Sequence, residues 1–114
     1  MSTFAFRALL VATLIPGACL WGQLTVSTIR GTATDQSGAV VVNAQIRIVH
    51  QGTNFSRDVV TNDNGDFEFL DLPRGEYRLT ATQAGFKTFI ADNILLESSQ
   101  VRRINVTFEL GTAT

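Results

Sequence analysis

The tightest constraint on this chain is the stretch Thr61 to Ala81, TNDNGDFEFLDLPRGEYRLTA. It reads as turn, short strand, second turn, strand. Asn64-Gly65 is the pair favoured in type I′ hairpin turns, because both central positions of that turn need φ > 0. Phe67 and Phe69 then alternate with Asp66, Glu68 and Leu70, so both aromatic rings project from one face of a strand. Leu72-Pro73-Arg74-Gly75 predicts a second turn, with φ preset by Pro73 and a left-handed position open to Gly75. Tyr77, Leu79 and Ala81 resume the apolar alternation beyond it. Two tight turns flanking an aromatic strand predict an antiparallel β domain.

The same texture extends in both directions. Ile29, Gly31 and Ala33 share one face, with Thr28, Arg30, Thr32 and Thr34 opposite. Asp35-Gln36-Ser37-Gly38 is a turn cluster, and Ala44, Ile46 and Ile48 alternate as a half-buried strand. A strand is expected from Phe55 to Thr61, a weaker one from Thr88 to Leu96 after the Ala84-Gly85-Phe86-Lys87 turn, and a last one with Ile104, Val106, Phe108 and Leu110 inward. Val40-Val41-Val42 is too short to classify by period. About seven strands with no helix between them predict an all-β, antiparallel, Greek-key sandwich of two sheets. Gly31 stands on an inward face, where its missing side chain lets a neighbouring strand or ring approach closely. Tyr77 is expected to bury its ring and keep its hydroxyl on a backbone partner.

Before the β region, residues 1–23 have the layout of a secretory signal peptide: Arg7, then the apolar run Ala8 to Ile15, then Pro16-Gly17 and small residues. Cleavage is expected after Gly22 or Gln23. The apolar run falls short of the ~20 residues of a membrane span. The single cysteine, Cys19, lies in Ile15-Pro16-Gly17-Ala18-Cys19, loosely similar to a lipoprotein box but with Pro16 in place of an aliphatic residue. Cys19 is therefore expected to leave with the signal as an ordinary apolar residue. The domain proper is 24–111, followed by a tail, 112–114. Nine basic and ten acidic residues give no basic footprint for nucleic acid.

Four motifs in order resemble the carboxypeptidase regulatory-like domain family. Gly31-Thr32-Ala33-Thr34-Asp35-Gln36-Ser37-Gly38 with Asn43-Ala44-Gln45-Ile46 is similar to its opening G-x-V-x-D-x-S-G…A-x-V. Thr61 to Phe67 is similar to its T-(D/N)-x-x-G-x-(Y/F) turn, Leu72 to Tyr77 to its L-P-x-G-x-Y, and Ala84 to Lys87 to its A-x-G-(F/Y). The resemblance covers about Ile29 to Leu110. It implies a transthyretin-like or prealbumin-like sandwich, grouped with carbohydrate-binding-like folds, without catalytic residues. Such domains accompany metallocarboxypeptidases or precede the plug and barrel of TonB-dependent outer-membrane receptors. A signal followed at once by this domain implies the second setting, in the periplasm or at the outer membrane. No plug, barrel or protease follows Leu110 in this sequence, so a stand-alone or truncated module is expected.

Site chemistry is sparse. The one imidazole, His50, at a strand end beside Gln51-Gly52, is expected to be a solvated terminus rather than a base, and one histidine cannot assemble a familiar zinc set. No catalytic, cofactor-binding or metal residue is assigned, no cofactor is implied, and the chain is expected not to be an enzyme. The acidic turn Asp63-Asn64-Gly65-Asp66 with Glu68 suggests calcium, yet laying a calcium loop on Gly65 puts Val60 at the first ligand position. Self-bonding Asx turn chemistry is the expected role. The alternative function, carbohydrate binding, would use outward aromatics, for which Phe55, Phe86 and Phe89 are the candidates. A protein partner is expected, through open sheet edges at Val40 to Val42 or Thr88 to Leu96.

Overall fold

The computed structural model describes residues 26–111, so the signal-like segment, Cys19 and the tail lie outside the described residues. Within them are eight strands and no helix: β1 (Ser27–Asp35), β2 (Gln45–His50), β3 (Ser56–Val60), β4 (Asp66–Leu72), β5 (Gly75–Thr82), β6 (Phe89–Leu96), β7 (Val101–Arg103) and β8 (Val106–Phe108). One sheet has the order β4–β1–β7, with β8 also paired to β1, and the other the order β3–β2–β5–β6. β4 returns beside β1 after the β2–β3 hairpin of the opposite sheet, which is the expected Greek-key connection.

Alternating burial builds the core as the sequence predicted. Ile29 and Ala33 of β1, Phe67 and Phe69 of β4, and Val106 and Phe108 of β8 face Ile46, Ile48, Tyr77, Leu79 and Ala81 of the second sheet. The Phe67 and Phe69 rings meet edge to face with centroids 6.2 Å apart. Tyr77, fully buried, donates its hydroxyl to the Pro73 carbonyl at 2.5 Å. That bond ties β5 to the turn by which the chain leaves β4 for the other sheet, the role of a tyrosine corner in sandwiches.

Three expectations change. Asn64-Gly65 does not form a type I′ hairpin: Gly65 has φ 77°, but Asn64 is not left-handed. The Asn62 side chain sets the turn instead, its Oδ1 accepting the Asn64 and Asp66 amides at 2.9 Å each, while Gly65 N–H donates to the Asn62 carbonyl at 2.9 Å. The strands on either side lie in different sheets, so this turn is a crossover.

The second change is at the C-terminal end. The expected last strand shortens to β8 and a further strand, β7, precedes it, which makes eight strands rather than seven; both run parallel to β1, so the first sheet is mixed rather than antiparallel. Gly31 leaves room for the bend between β7 and β8. A Cβ there would lie 1.7 Å from the Ile104 carbonyl oxygen and 2.8 Å from the Phe67 ring. The chain bends into that space, Ile104 N–H donating to the Arg30 carbonyl at 2.8 Å. Leu110, expected inward, is 69% exposed.

Third, Val40 to Val42 is not an edge strand. Val41 is buried and its N–H donates to the Ala33 carbonyl at 2.9 Å, closing the end of β1. Phe89 to Leu96 is a true sheet edge, β6.

Candidate functional site

An open cleft of about 470 Å³ lies beside the free edge of β4. Period-2 alternation puts the polar residues of β1 and β4 on the outer face of their sheet. Arg30 lies opposite Glu68 and bonds its carboxylate at 2.8 Å. Thr32 lies opposite Asp66 and donates its hydroxyl to Oδ1 at 2.7 Å, and Arg103 Nη2 donates to the same hydroxyl oxygen at 3.1 Å. Val59 and Val60 of β3 wall the cleft from the second sheet, and Asn62 closes one end. A second, smaller cleft of about 260 Å³ lies on the outer face of the other sheet among Gln45, Arg47, Asp58, Thr80 and Thr82. Arg47 Nε donates to Asp58 Oδ1 there at 2.8 Å.

The acidic turn is spoken for internally: Asp66 by Thr32, Glu68 by Arg30, and Asn62 by backbone amides. Among the described residues no group of three or more His, Cys, Asp or Glu side chains is placed to hold a metal ion. Asp35, at the first turn, accepts from the Ser37 hydroxyl at 2.6 Å and from the Ser37 and Ala39 amides at 2.8 and 3.1 Å. The hydroxyl bond, with the backbone bonds behind it, holds its carboxyl below the usual carboxylate value.

His50 is more than a solvated strand end. Its Nδ1 accepts the Gly52 and Thr53 amides at 3.1 and 3.2 Å, which leaves Nε2, 3.0 Å from the Arg74 carbonyl, as the donor. The ring stands edge-on to Tyr77 with centroids 5.0 Å apart. It thus ties the β2–β3 loop to the β4–β5 turn. Gly75, with φ 147°, makes room for it, since a Cβ there would lie 2.1 Å from Nε2. The sequence signal was the glycine of L-P-x-G-x-Y, but nothing local linked it to a histidine 25 positions earlier.

The three aromatics considered as sugar platforms are half-buried and packed against the core. Phe86 lies 5.4 Å from the Phe108 ring, and the Arg57 guanidinium covers Phe55 at 5.2 Å. A small core recruits them because it has few other large side chains. No helix among the described residues is long and apolar enough to cross a membrane.

The family model of the carboxypeptidase regulatory-like domain matches residues 28–109, most of the chain and every strand but the first residue of β1. The chain belongs to that family. A search of curated protein sequences found no match. Among solved structures, the carboxypeptidase regulatory-like sandwich is similar to part of the TIE protein of Bacillus anthracis, with 21% identity and TM-score 0.64 over 75% of this chain and 17% of that one. It is similar to catechol 1,2-dioxygenase from Pseudomonas arvilla, with 10% identity and TM-score 0.65 over 78% of this chain and 53% of that one. A candidate carbohydrate binding protein from Bacteroides uniformis matches with 16% identity and TM-score 0.60 over 74% of this chain and 41% of that one. Each of these matches spans less than two thirds of the other protein's length.

At such identities the likeness is one of fold. It nevertheless corrects one expectation: the chain was read as no enzyme because the family it resembles lacks catalytic residues and its one imidazole, His50, was not read as a base. Catechol 1,2-dioxygenases from Acinetobacter radioresistens and Pseudomonas arvilla contain a similar sandwich, so the architecture does not exclude catalysis.

Proposed function

We propose that this chain is an exported accessory and interaction module, acting in the periplasm or at the outer membrane. In this reading it is a stand-alone or truncated N-terminal domain of a TonB-dependent receptor-like protein. The observation that carries the proposal is that both sheets and their shared core close within residues 28–109, directly after a segment with the layout of a secretory signal. Such a unit needs no neighbouring domain to bury its apolar faces. The fold's presence as 17% of the TIE protein chain is in keeping with use as one module among several. Sequencing the DNA beyond the Thr114 codon tests the receptor link. An in-frame plug and barrel behind a stop or frameshift supports it, and an unrelated gene after a clean stop removes it.

A second reading, a carbohydrate-binding accessory module, is favoured by the likeness to the Bacteroides uniformis protein and by the polar cleft around Arg47 and Asp58. Retention on polysaccharide affinity gels, abolished by Arg47→Ala, would establish it. Migration unchanged on every gel tried would remove it.

A further inference from the structure

Parity along the strands fixes which backbone groups of β4 are free. Thr28 N–H donates to the Gln100 carbonyl at 2.9 Å and Ile104 N–H to the Arg30 carbonyl at 2.8 Å, so the even-numbered residues of β1 turn their main-chain groups toward β7. The odd-numbered ones therefore face β4, and Ala33 N–H on the Gly65 carbonyl at 2.8 Å agrees. Because Ile29 lies opposite Phe69 and Gly31 opposite Phe67, those two phenylalanines spend their main-chain groups inside the sheet. Asp66, Glu68 and Leu70 then point theirs outward, along the open edge.

Both ends of that edge are closed by the chain itself. Asn62 takes both main-chain groups of Asp66, its Oδ1 accepting the N–H at 2.9 Å and its own N–H donating to the carbonyl at 3.0 Å. At the other end the Arg57 guanidinium donates to the Leu70 carbonyl. Between these caps the N–H and C=O of Glu68, and beside them the N–H of Leu70, are left for a partner. The larger cleft lies along this gap, with Val59 and Phe67 on its inner side and Arg30, Glu68 and Arg103 on its outer side. The cleft holds two arginines and two carboxylates, but only one ion pair forms among them, because the Thr32 hydroxyl stands between Arg103 and Asp66. Glu68 is neutralised by Arg30 at 2.8 Å, whereas among the described residues Arg103 has only the Thr32 hydroxyl and no carboxylate partner.

We propose that the β4 edge binds a short extended peptide of alternating apolar and acidic residues. The peptide pairs with the Glu68 main chain, sets its apolar side chains on Val59 and Phe67, and directs its carboxylates to the outer face where Arg103 waits. This is strand addition, with affinity from main-chain bonds and selectivity from alternate side chains. It rests on the interaction-module reading and names that module's partner class, and it relocates the interaction from the edges expected at Val40 to Val42 and Thr88 to Leu96.

The test uses the full chain and the synthetic peptide acetyl-Thr-Val-Asp-Val-Asp-Thr-amide. Titration followed by amide hydrogen exchange should show saturable binding and slowing at Glu68 by about tenfold or more. Glu68→Pro removes the outward N–H together with the carboxylate paired to Arg30, at an edge position where proline is tolerated, and should weaken binding about tenfold. Glu68→Ala, which loses the same carboxylate but keeps the N–H, isolates the main-chain bond and should bind within about threefold of the parent. A peptide with lysine in place of aspartate should bind about tenfold more weakly, a preference that Arg103→Ala should erase. Absence of saturable binding up to about 1 mM overturns the proposal, as does equal binding by Glu68→Pro or by the lysine peptide. Should Glu68→Pro fail to fold, exchange at Glu68 in the parent and the Arg103→Ala comparison decide. A chain that is exported but ignores the peptide loses the edge and keeps the module. A chain that stays in the cytosol loses the module, whatever the peptide does.

Discussion

Replacing Gly31 by alanine tests how the two sheets are closed. The position is extended, so no left-handed backbone is involved; the obstacle is space. An added Cβ would stand 1.7 Å from the Ile104 carbonyl oxygen, against about 3.3–3.6 Å for an ordinary carbon–oxygen contact. The Ile104 segment must therefore retreat by roughly 1.6–1.9 Å, a distance set by that contact range. Retreat breaks the Ile104 N–H to Arg30 carbonyl bond, now 2.8 Å, at about 1 kcal/mol. Overpacking against backbone adds about 1–3 kcal/mol. The stiffer unfolded chain returns about 0.4–1 kcal/mol. The net loss is about 1–3.6 kcal/mol, or a fall in Tm of roughly 4–29 °C for a domain of this size. Thermal melting gives the magnitude, and hydrogen exchange should show the loss of protection concentrated in β7 and β8. Gly38→Ala is the control: it has φ 94° but nothing within 4 Å of the new Cβ, so it strains one turn and leaves those strands protected. A Gly31→Ala protein melting within about 3 °C of the parent, well inside what 1 kcal/mol produces, would refute the close-approach argument.

Other outcomes follow from the same contacts. Thr61, 1% exposed, donates to the Val41 carbonyl at 2.7 Å and accepts the Ala44 amide at 2.9 Å. The near-isosteric Thr61→Val should therefore cost about 2–4 kcal/mol in urea denaturation, because it strands two buried backbone groups. His50→Ala should lower stability and speed exchange at Gly52 and Thr53, whose amides the ring accepts. Burial raises the Tyr77 phenol above its ordinary value, with Arg57 opposing. Its contribution is then full below about pH 10 and is lost as pH rises through the folded-state value. Tyr77→Phe should flatten that alkaline limb while costing about 1 kcal/mol for the lost bond at neutral pH. Asp35 behaves oppositely. With its carboxyl lowered chiefly by the Ser37 hydroxyl, its contribution is full above the ordinary value of 3.8 and is lost as pH falls through the lowered one. Asp35→Ala should flatten the acid limb of a stability–pH curve, and a parent-like limb would remove Asp35 as its source.

The fold was legible wherever alternation met a strong turn. Ile46 with Ile48, Phe67 with Phe69, and Tyr77 with Leu79 each announce a face, and each face is buried. What escaped was long-range. Asn64-Gly65 carries the local signature of a mirror-image turn, but the Asn62 side chain satisfies the amides and the flanking strands separate into two sheets. The last strand reads as continuous because alternation ignores the bend that Gly31 invites from 73 positions away. At the site, alternation placed Arg30, Glu68 and Asp66 on an outer face, but not the open edge beside them. That edge exists because β3 and β4 belong to opposite sheets, a fact of topology that no local pattern carries. His50 was underestimated for the same reason, its partners being Arg74 and Gly75. The expectation about enzymes failed differently, since fold does not dictate function.

The most direct measurement is the intact mass and compartment of the chain expressed from Met1 in a Gram-negative host. An exported module should be recovered from the periplasmic or membrane fraction with a mass beginning at Gln23 or Leu24. Recovery from the cytosol at the full 114-residue mass would contradict it.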